Sequence, residues 1–288
     1  MKLELICAST DAGLQINGAA QGSLDIYETL KNNNNYKNNI KLLLQKDFTK
    51  SYDVLNNKKN IKQVNEFNEN LYNEVLSSIK NNKLPLIIGG DHSISIASSL
   101  ASKHETTEYL IWIDSHGDYN TFDTTITGNI HGTPFATITN QNGYTLTPFH
   151  NSTFYNPQNT YLIGSRSIDP KEQINIEKAQ VNNYSSSYVK TNNIHTLINE
   201  IFNNIKDNKV HISFDIDVID PLIAPGVSIP EENGLTFNES FLILKEILKH
   251  KNNIASIDLV EYNPLLDKNN KTKDILIKLI DEIYNTYK

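Results

Sequence analysis

Tyr109-Leu-Ile-Trp-Ile-Asp114-Ser-His116-Gly-Asp118 decides the fold of this chain, because an apolar run of strand length ends abruptly in ligand-type side chains spaced two residues apart. Val210-His-Ile-Ser-Phe-Asp215-Ile-Asp217 repeats the device. Side chains at i, i+2 and i+4 of an extended segment point to one face. Asp114, His116 and Asp118 are therefore expected to converge, and Asp215 with Asp217 likewise. Acids at the carboxyl ends of such strands lie where open α/β sheets bind ligands. Four carboxylates in one small volume repel one another strongly, and divalent metal is the natural remedy.

Further apolar runs at residues 3–7, 84–88, 161–163 and 254–259 fit buried strands, joining those at 109–113 and 210–214. Helical spacing lies between them. Ile61, Val64, Phe67, Leu71, Val75 and Ile79 recur at intervals of three and four, and so do Ile275, Leu276, Leu279, Ile280, Ile283, Tyr284 and Tyr287. Strands separated by helices require crossover connections, hence a mainly parallel sheet flanked by helices on both faces, a three-layer α/β sandwich. At 288 residues with no obvious linker, one domain spanning 1–288 is expected. The stretch 121–159 lacks a steady period and reads as part of an active-site rim. The Asn- and Lys-rich stretches 32–35 and 267–273 read as exposed loops or helix ends.

A net charge of −7 with scattered basic residues argues against nucleic acid as a partner. Cys7 is the only cysteine, which excludes an internal disulfide framework and thiolate zinc clusters; metal ligands must then be oxygen and imidazole. The residues at the N-terminus form neither a signal peptide nor a bilayer span, so no membrane partner and a cytoplasmic location are expected.

Other segments join the two acidic clusters. Gly89-Gly-Asp-His92-Ser93 sets His92 where a strand yields to a helix, Gly128-Asn-Ile-His131-Gly132 places a histidine between glycines, and Ser256-Ile-Asp-Leu-Val-Glu261-Tyr-Asn-Pro264 puts an acid at the end of another strand. With these in view the chain resembles the ureohydrolase family, the arginase, agmatinase and formimidoylglutamase enzymes, over residues 84–264, with arginases nearest. The resemblance implies two Mn²⁺ ions per chain: His92, Asp114, Asp118 and Asp215 around one, His116, Asp114, Asp215 and Asp217 around the other. Carboxylate oxygen with a minority of imidazole suits manganese and other hard divalent ions. Two ions about 3.5–4 Å apart can lower the pKa of a shared water and supply hydroxide near neutral pH.

The substrate implied is a guanidino or formimino compound, most simply L-arginine, cleaved at a C–N bond to L-ornithine and urea. With Asp118, the catalytic residues are Glu261, whose carboxylate suits a guanidinium fork, and His131, a candidate proton shuttle to the leaving amine. The loop from Asp118 to Gly132 resembles the arginase version, so Asn120 and Thr127 are expected to meet an α-carboxylate. The segment Ile163-Gly-Ser-Arg-Ser-Ile-Asp169-Pro-Lys-Glu172 resembles the one whose acids receive the α-amino group. Two departures bear on substrate choice: Ser228-Ile229-Pro230 stands where Gly-Thr-Pro is usual, and Thr127 replaces a serine. Formimidoylglutamate and agmatine hydrolysis are the alternatives, followed by a one-metal deacetylase on a related fold and an inactive metal-binding or assembly protein. The family also implies a homo-oligomer, often a trimer or hexamer. Asp258 is either a partner of a ligand or a plain strand-end acid. His104, His150, His195, His211 and His250 match no motif and are expected to have no catalytic duty.

Overall fold

A computed structural model describes residues 2–49, 52–53, 58–143, 145–147 and 153–288; His150 and part of the expected rim lie outside them. The strands are β1 (Lys2–Ser9), β2 (Ile40–Leu44), β3 (Tyr52–Asp53), β4 (Lys58–Lys59), β5 (Lys83–Gly89), β6 (Thr107–Ile113), β7 (Thr160–Ile163), β8 (Asn182–Tyr184), β9 (Lys209–Asp215) and β10 (Ile254–Val260). The helices are α1 (Ala19–Leu30), α2 (Ile61–Lys80), α3 (Ser95–Glu105), α4 (Pro134–Ile138), α5 (Pro170–Ala179), α6 (Ser186–Thr191), α7 (Ile194–Ile205), α8 (Phe237–Leu248) and α9 (Lys271–Tyr287). One eight-stranded sheet has the order β2-β1-β5-β10-β9-β6-β7-β8. All its pairings are parallel, and β3 with β4 forms a separate antiparallel pair.

Alternation along the strands builds the two faces. Leu110 and Trp112 of β6 pack with α2, α3, α4 and Ile176 of α5, whereas Ile111 and Ile113 pack on the other side with α7, α8 and α9. The expected three-layer sandwich is thus observed, wholly parallel in its main sheet. Neither β2 nor β8 was expected. Both lie at the sheet edges, and Asn182-Asn-Tyr184 has none of the β-branched residues that mark a strand.

The order of strands positions the site. The chain passes from β5 to β6 across a gap that β9 and β10 later fill, so the loops after four adjacent central strands open onto one crevice. After β5 the backbone runs close to the loop that follows β1. A Cβ on Gly90 would come within 1.7 Å of the Thr10 carbonyl oxygen, and the Asp91 N–H donates to that same oxygen at 3.1 Å. Only glycine fits there.

Candidate metal centre

Each loop delivers its side chains by a turn. Asp114 follows β6 directly, and its Oδ1 accepts the His116 N–H at 2.7 Å. Asp118 has φ 48, and Glu261 after β10 has φ 68. Left-handed backbone at such residues costs roughly 1–2 kcal/mol each and marks positions held by their surroundings. Gly117 has no Cβ because the Glu172 carboxylate packs against it; a Cβ would lie 2.7 Å from Oε1. Asp215 ends β9, and its Oδ1 accepts the Asp217 N–H at 2.8 Å, placing Asp217 in the 3-10 turn Ile216–Val218. The expected convergence therefore occurs, but through turns stabilised by the acids themselves rather than through the alternation of an extended strand.

His92 Nδ1 lies 3.0 Å from Asp114 Oδ2, 3.0 Å from Asp118 Oδ2 and 3.1 Å from Asp215 Oδ2. One N–H cannot serve three carboxylates, and Asp118 Oδ2 makes no hydrogen bond. His116 Nδ1 lies 3.0 Å from Asp217 Oδ2 and 3.5 Å from Asp114 Oδ1. Donor atoms thus gather in two sets, His92–Asp114–Asp118 and Asp114–His116–Asp217, within metal-ligating distance of one another and sharing Asp114. All but His116 are buried. Crowded buried oxygen donors with an orphaned oxygen among them fit hard divalent cations.

Several residues not singled out from the sequence support the ligands. Trp112 stacks on the His92 ring at 4.1 Å and donates Nε1–H to Asp114 Oδ2 at 3.0 Å. Ser213 Oγ meets His92 Nε2 at 2.9 Å. Asp91 accepts the N–H groups of Gly13 and Ser93, both at 2.9 Å; burial and the nearby Glu261 push its carboxyl up to about 6. Strand periodicity could have placed Trp112 and Ser213 on the site-bearing strands. It could not have named their partners.

Beside the ligands opens a cleft of about 170 Å³, lined among others by His116, Asp118, Asn120, Thr127, His131, Asp169, Glu172 and Ile229. Glu261 Oε1 accepts the His92 N–H at 2.8 Å and lies 3.2 Å from His131 Nδ1. Asn120 donates to Asp169 Oδ2 at 3.1 Å. Glu172 accepts from the N–H groups of Tyr119 and Asp169, forming with Asp169 the capping box of α5, and its burial raises the carboxyl to about 7. The structure thus gives Glu172 a wall-building task. Thr127 is exposed on the rim and accepts the Asn129 N–H. At the departing motif, Ile229 lines the cleft while the buried Ser228 hydroxyl accepts from Asn263.

Asp258 is not a partner of any ligand: it accepts from Ser98 Oγ and pairs with His211 in the core. The other described histidines lie away from the cleft, His104 against Tyr72, His195 against Glu246 and His250 against Phe202.

Electrostatics tie this cluster to pH. Burial and Asp114 push Asp118 up to about 6, and burial with Asp217 and Asp114 also raises Asp215 well above the ordinary carboxylate value. Burial opposes charge on His92 and His116, but their carboxylate neighbours outweigh it and hold both well above the ordinary value. In each case the folded chain binds its proton more tightly than the unfolded chain. Stability is then fully present below the unfolded pKa and is lost as pH rises through the folded one. Asp114, held low by the histidines against its burial, has the opposite sign, but only at acid pH. The melting temperature of chelator-treated protein should fall between about pH 5 and 8. Saturating divalent cation should reverse the fall by neutralising the acids; scanning calorimetry in both conditions checks it, and a flat metal-free profile would refute the crowding.

A parallel three-layer sheet carrying two acid-and-imidazole donor sets in one crevice defines a metal-binding α/β protein with a site of hydrolase type. The arginase family model matches residues 2–285, and the chain belongs to that family. It is 36% identical to the arginase of Staphylococcus aureus (strain MRSA252) over 242 residues, covering 83% of this chain and 80% of that one. Its fold is similar to the native arginase of Bacillus caldovelox, with TM-score 0.88, 30% identity and 98% of each chain covered. It is also similar to the Entamoeba histolytica arginase solved with L-ornithine, with TM-score 0.88 at 28% identity, covering 98% and 97%. Among the described residues, no helix is long and apolar enough to cross a membrane.

Proposed function

We propose that this chain hydrolyses L-arginine to L-ornithine and urea. The observation that carries the reading is the pair of donor sets sharing Asp114 beside a cleft lined by Asn120, Asp169 and His131. A relative of the same fold was solved with L-ornithine bound. His92, Asp114, Asp118 and Asp215 would hold one cation and His116, Asp114, Asp215 and Asp217 the other, with manganese foremost among hard ions. Bound there, the ions would supply a hydroxide nucleophile near neutral pH.

The chain's own groups do the rest. Glu261 Oε1 is engaged by His92 N–H and His131 Nδ1, and we assign its other oxygen to the guanidinium. The Glu261 carboxylate raises the His131 pKa against the opposing effect of burial, so the imidazole carries a proton to give to the departing amine. Asn120, Thr127 and Asp169 would meet the α-carboxylate and α-ammonium, with Glu172 fixing the loop that bears them. The whole of 1–288 is read as one domain of a cytoplasmic homo-oligomer, a trimer or hexamer.

Formimidoylglutamate hydrolysis is the second reading, favoured by one feature: the segment Ala224-Pro-Gly-Val-Ser228 resembles that of formimidoylglutamases and brings Ile229, with no threonine hydroxyl, to the cleft wall. Urea assays with arginine and agmatine, beside a formamide assay with formimidoylglutamate, separate the readings. Arginine should be preferred by at least about tenfold in kcat/KM. Turnover of none of the three by manganese-loaded protein would reject the substrate class.

A further inference from the structure

His116 presents its two ring nitrogens to different surroundings. Nδ1 faces Asp217 and Asp114, the set read above as holding a cation. Nε2 is buried and makes no hydrogen bond. A neutral imidazole carries one proton, so a lone pair given to a cation at Nδ1 leaves that proton on Nε2. A buried N–H without an acceptor costs about 1–3 kcal/mol. The carboxylate facing it is Glu231, whose Oε1 lies 3.7 Å away. That is too long for a hydrogen bond, and the Glu231 side chain, 35% exposed, is only partly buried where it faces Nε2.

The backbone of Glu231 is already fixed for this. Arg166 Nη2 donates to the carbonyls of Glu231 and Asp217, both at 2.8 Å, while Nε reaches Glu232 O at 3.0 Å and Nη1 reaches Val218 O at 3.1 Å. One guanidinium therefore ties the loop bearing Glu231 to the turn bearing Asp217. His92 is served differently, since its Nε2 meets the neutral hydroxyl of Ser213.

We propose that Glu231 is a positioning residue for His116: it accepts the Nε2 proton when a cation sits at Nδ1, so strengthening the Asp114–His116–Asp217 set alone. The inference rests on the two-cation reading. A carboxylate behind a ligating imidazole fixes its tautomer and ring orientation and raises its basicity, and loss of such a partner typically costs about 10–100-fold in metal affinity. The two cations should consequently differ in how they depend on the rim loop.

Metal-free wild type, Glu231→Ala and Glu231→Gln are titrated with Mn²⁺ by calorimetry, with metal content checked after dialysis. Wild type should bind two ions. Glu231→Ala should weaken one class about 10–100-fold and leave the other unchanged, with Glu231→Gln, which keeps an acceptor oxygen, in between. Excess Mn²⁺ should restore kcat in both variants. Adding Glu231→Ala to a His116→Asn background should change nothing further. Unaltered binding, equal weakening of both classes, or an effect that persists in the His116→Asn background would overturn the proposal. Fewer than two ions on the wild type would instead overturn the two-cation reading, a failure visible before any variant is made. Should Glu231→Ala not fold, the milder Glu231→Gln carries the same comparison.

Discussion

Asp118→Asn is expected to give a protein more stable than wild type without metal and almost inert with it. The buried carboxyl of Asp118, with one oxygen lacking any hydrogen bond, is pushed up to about 6 by burial and by Asp114. A carboxyl raised from 3.8 to that level carries on the order of 3 kcal/mol against ionisation above pH 7. An amide of the same shape removes the charge, and asparagine tolerates the left-handed backbone that φ 48 requires. The metal-free melting temperature should therefore rise at pH 8 and change little at pH 5, where wild-type Asp118 is itself largely protonated. With Mn²⁺ the same change removes an anionic ligand, and turnover should fall at least about 10³-fold, some 4 kcal/mol of barrier. Calorimetry at the two pH values and a urea assay test both signs. A metal-free protein destabilised at pH 8 would contradict the account of the site.

His131→Asn is expected to separate rate from metal binding. His131 lines the cleft and touches Glu261, yet it belongs to neither donor set. Losing a positioned general acid should lower kcat by about 10²–10⁴-fold. Bound Mn²⁺ should remain at the wild-type level. Because Glu261 outweighs burial and raises its pKa, wild-type His131 gives up its proton at higher pH than an ordinary histidine. The wild-type rate should thus carry an alkaline limb that the variant lacks. Unchanged kcat, or loss of the cations along with it, would remove His131 from the proton-transfer role.

Much of the fold was legible because periodicity is a local property. The run 109–113 alternates into two cores, and the spacing from Ile61 to Ile79 matches the helix α2. The edge strands β2 and β8 were not legible, since they are strands only by virtue of their neighbours β1 and β7. Among the site residues, the acids were readable as a set because no uncompensated cluster of that kind is stable. The supporting groups were not. Asp258, three residues before Glu261 near the end of the same strand, could be read from the sequence either as a partner of a ligand or as a plain strand-end acid. Only the fold turns Asp258 toward His211 in the core and Glu261 toward His92 and His131.

A parallel α/β chain whose strand ends carry carboxylates and imidazoles suited to cations can be read from the amino-acid order alone, because apolar period and ligand chemistry are written residue by residue. Which partner each group meets came only with the folded chain: Glu172 props a loop, Arg166 joins two turns and Glu231 faces the second nitrogen of His116. Those pairings span tens of residues of chain and depend on the order in which strands insert into the sheet. No local pattern encodes that order, because it is fixed by long-range packing of the whole hydrophobic core.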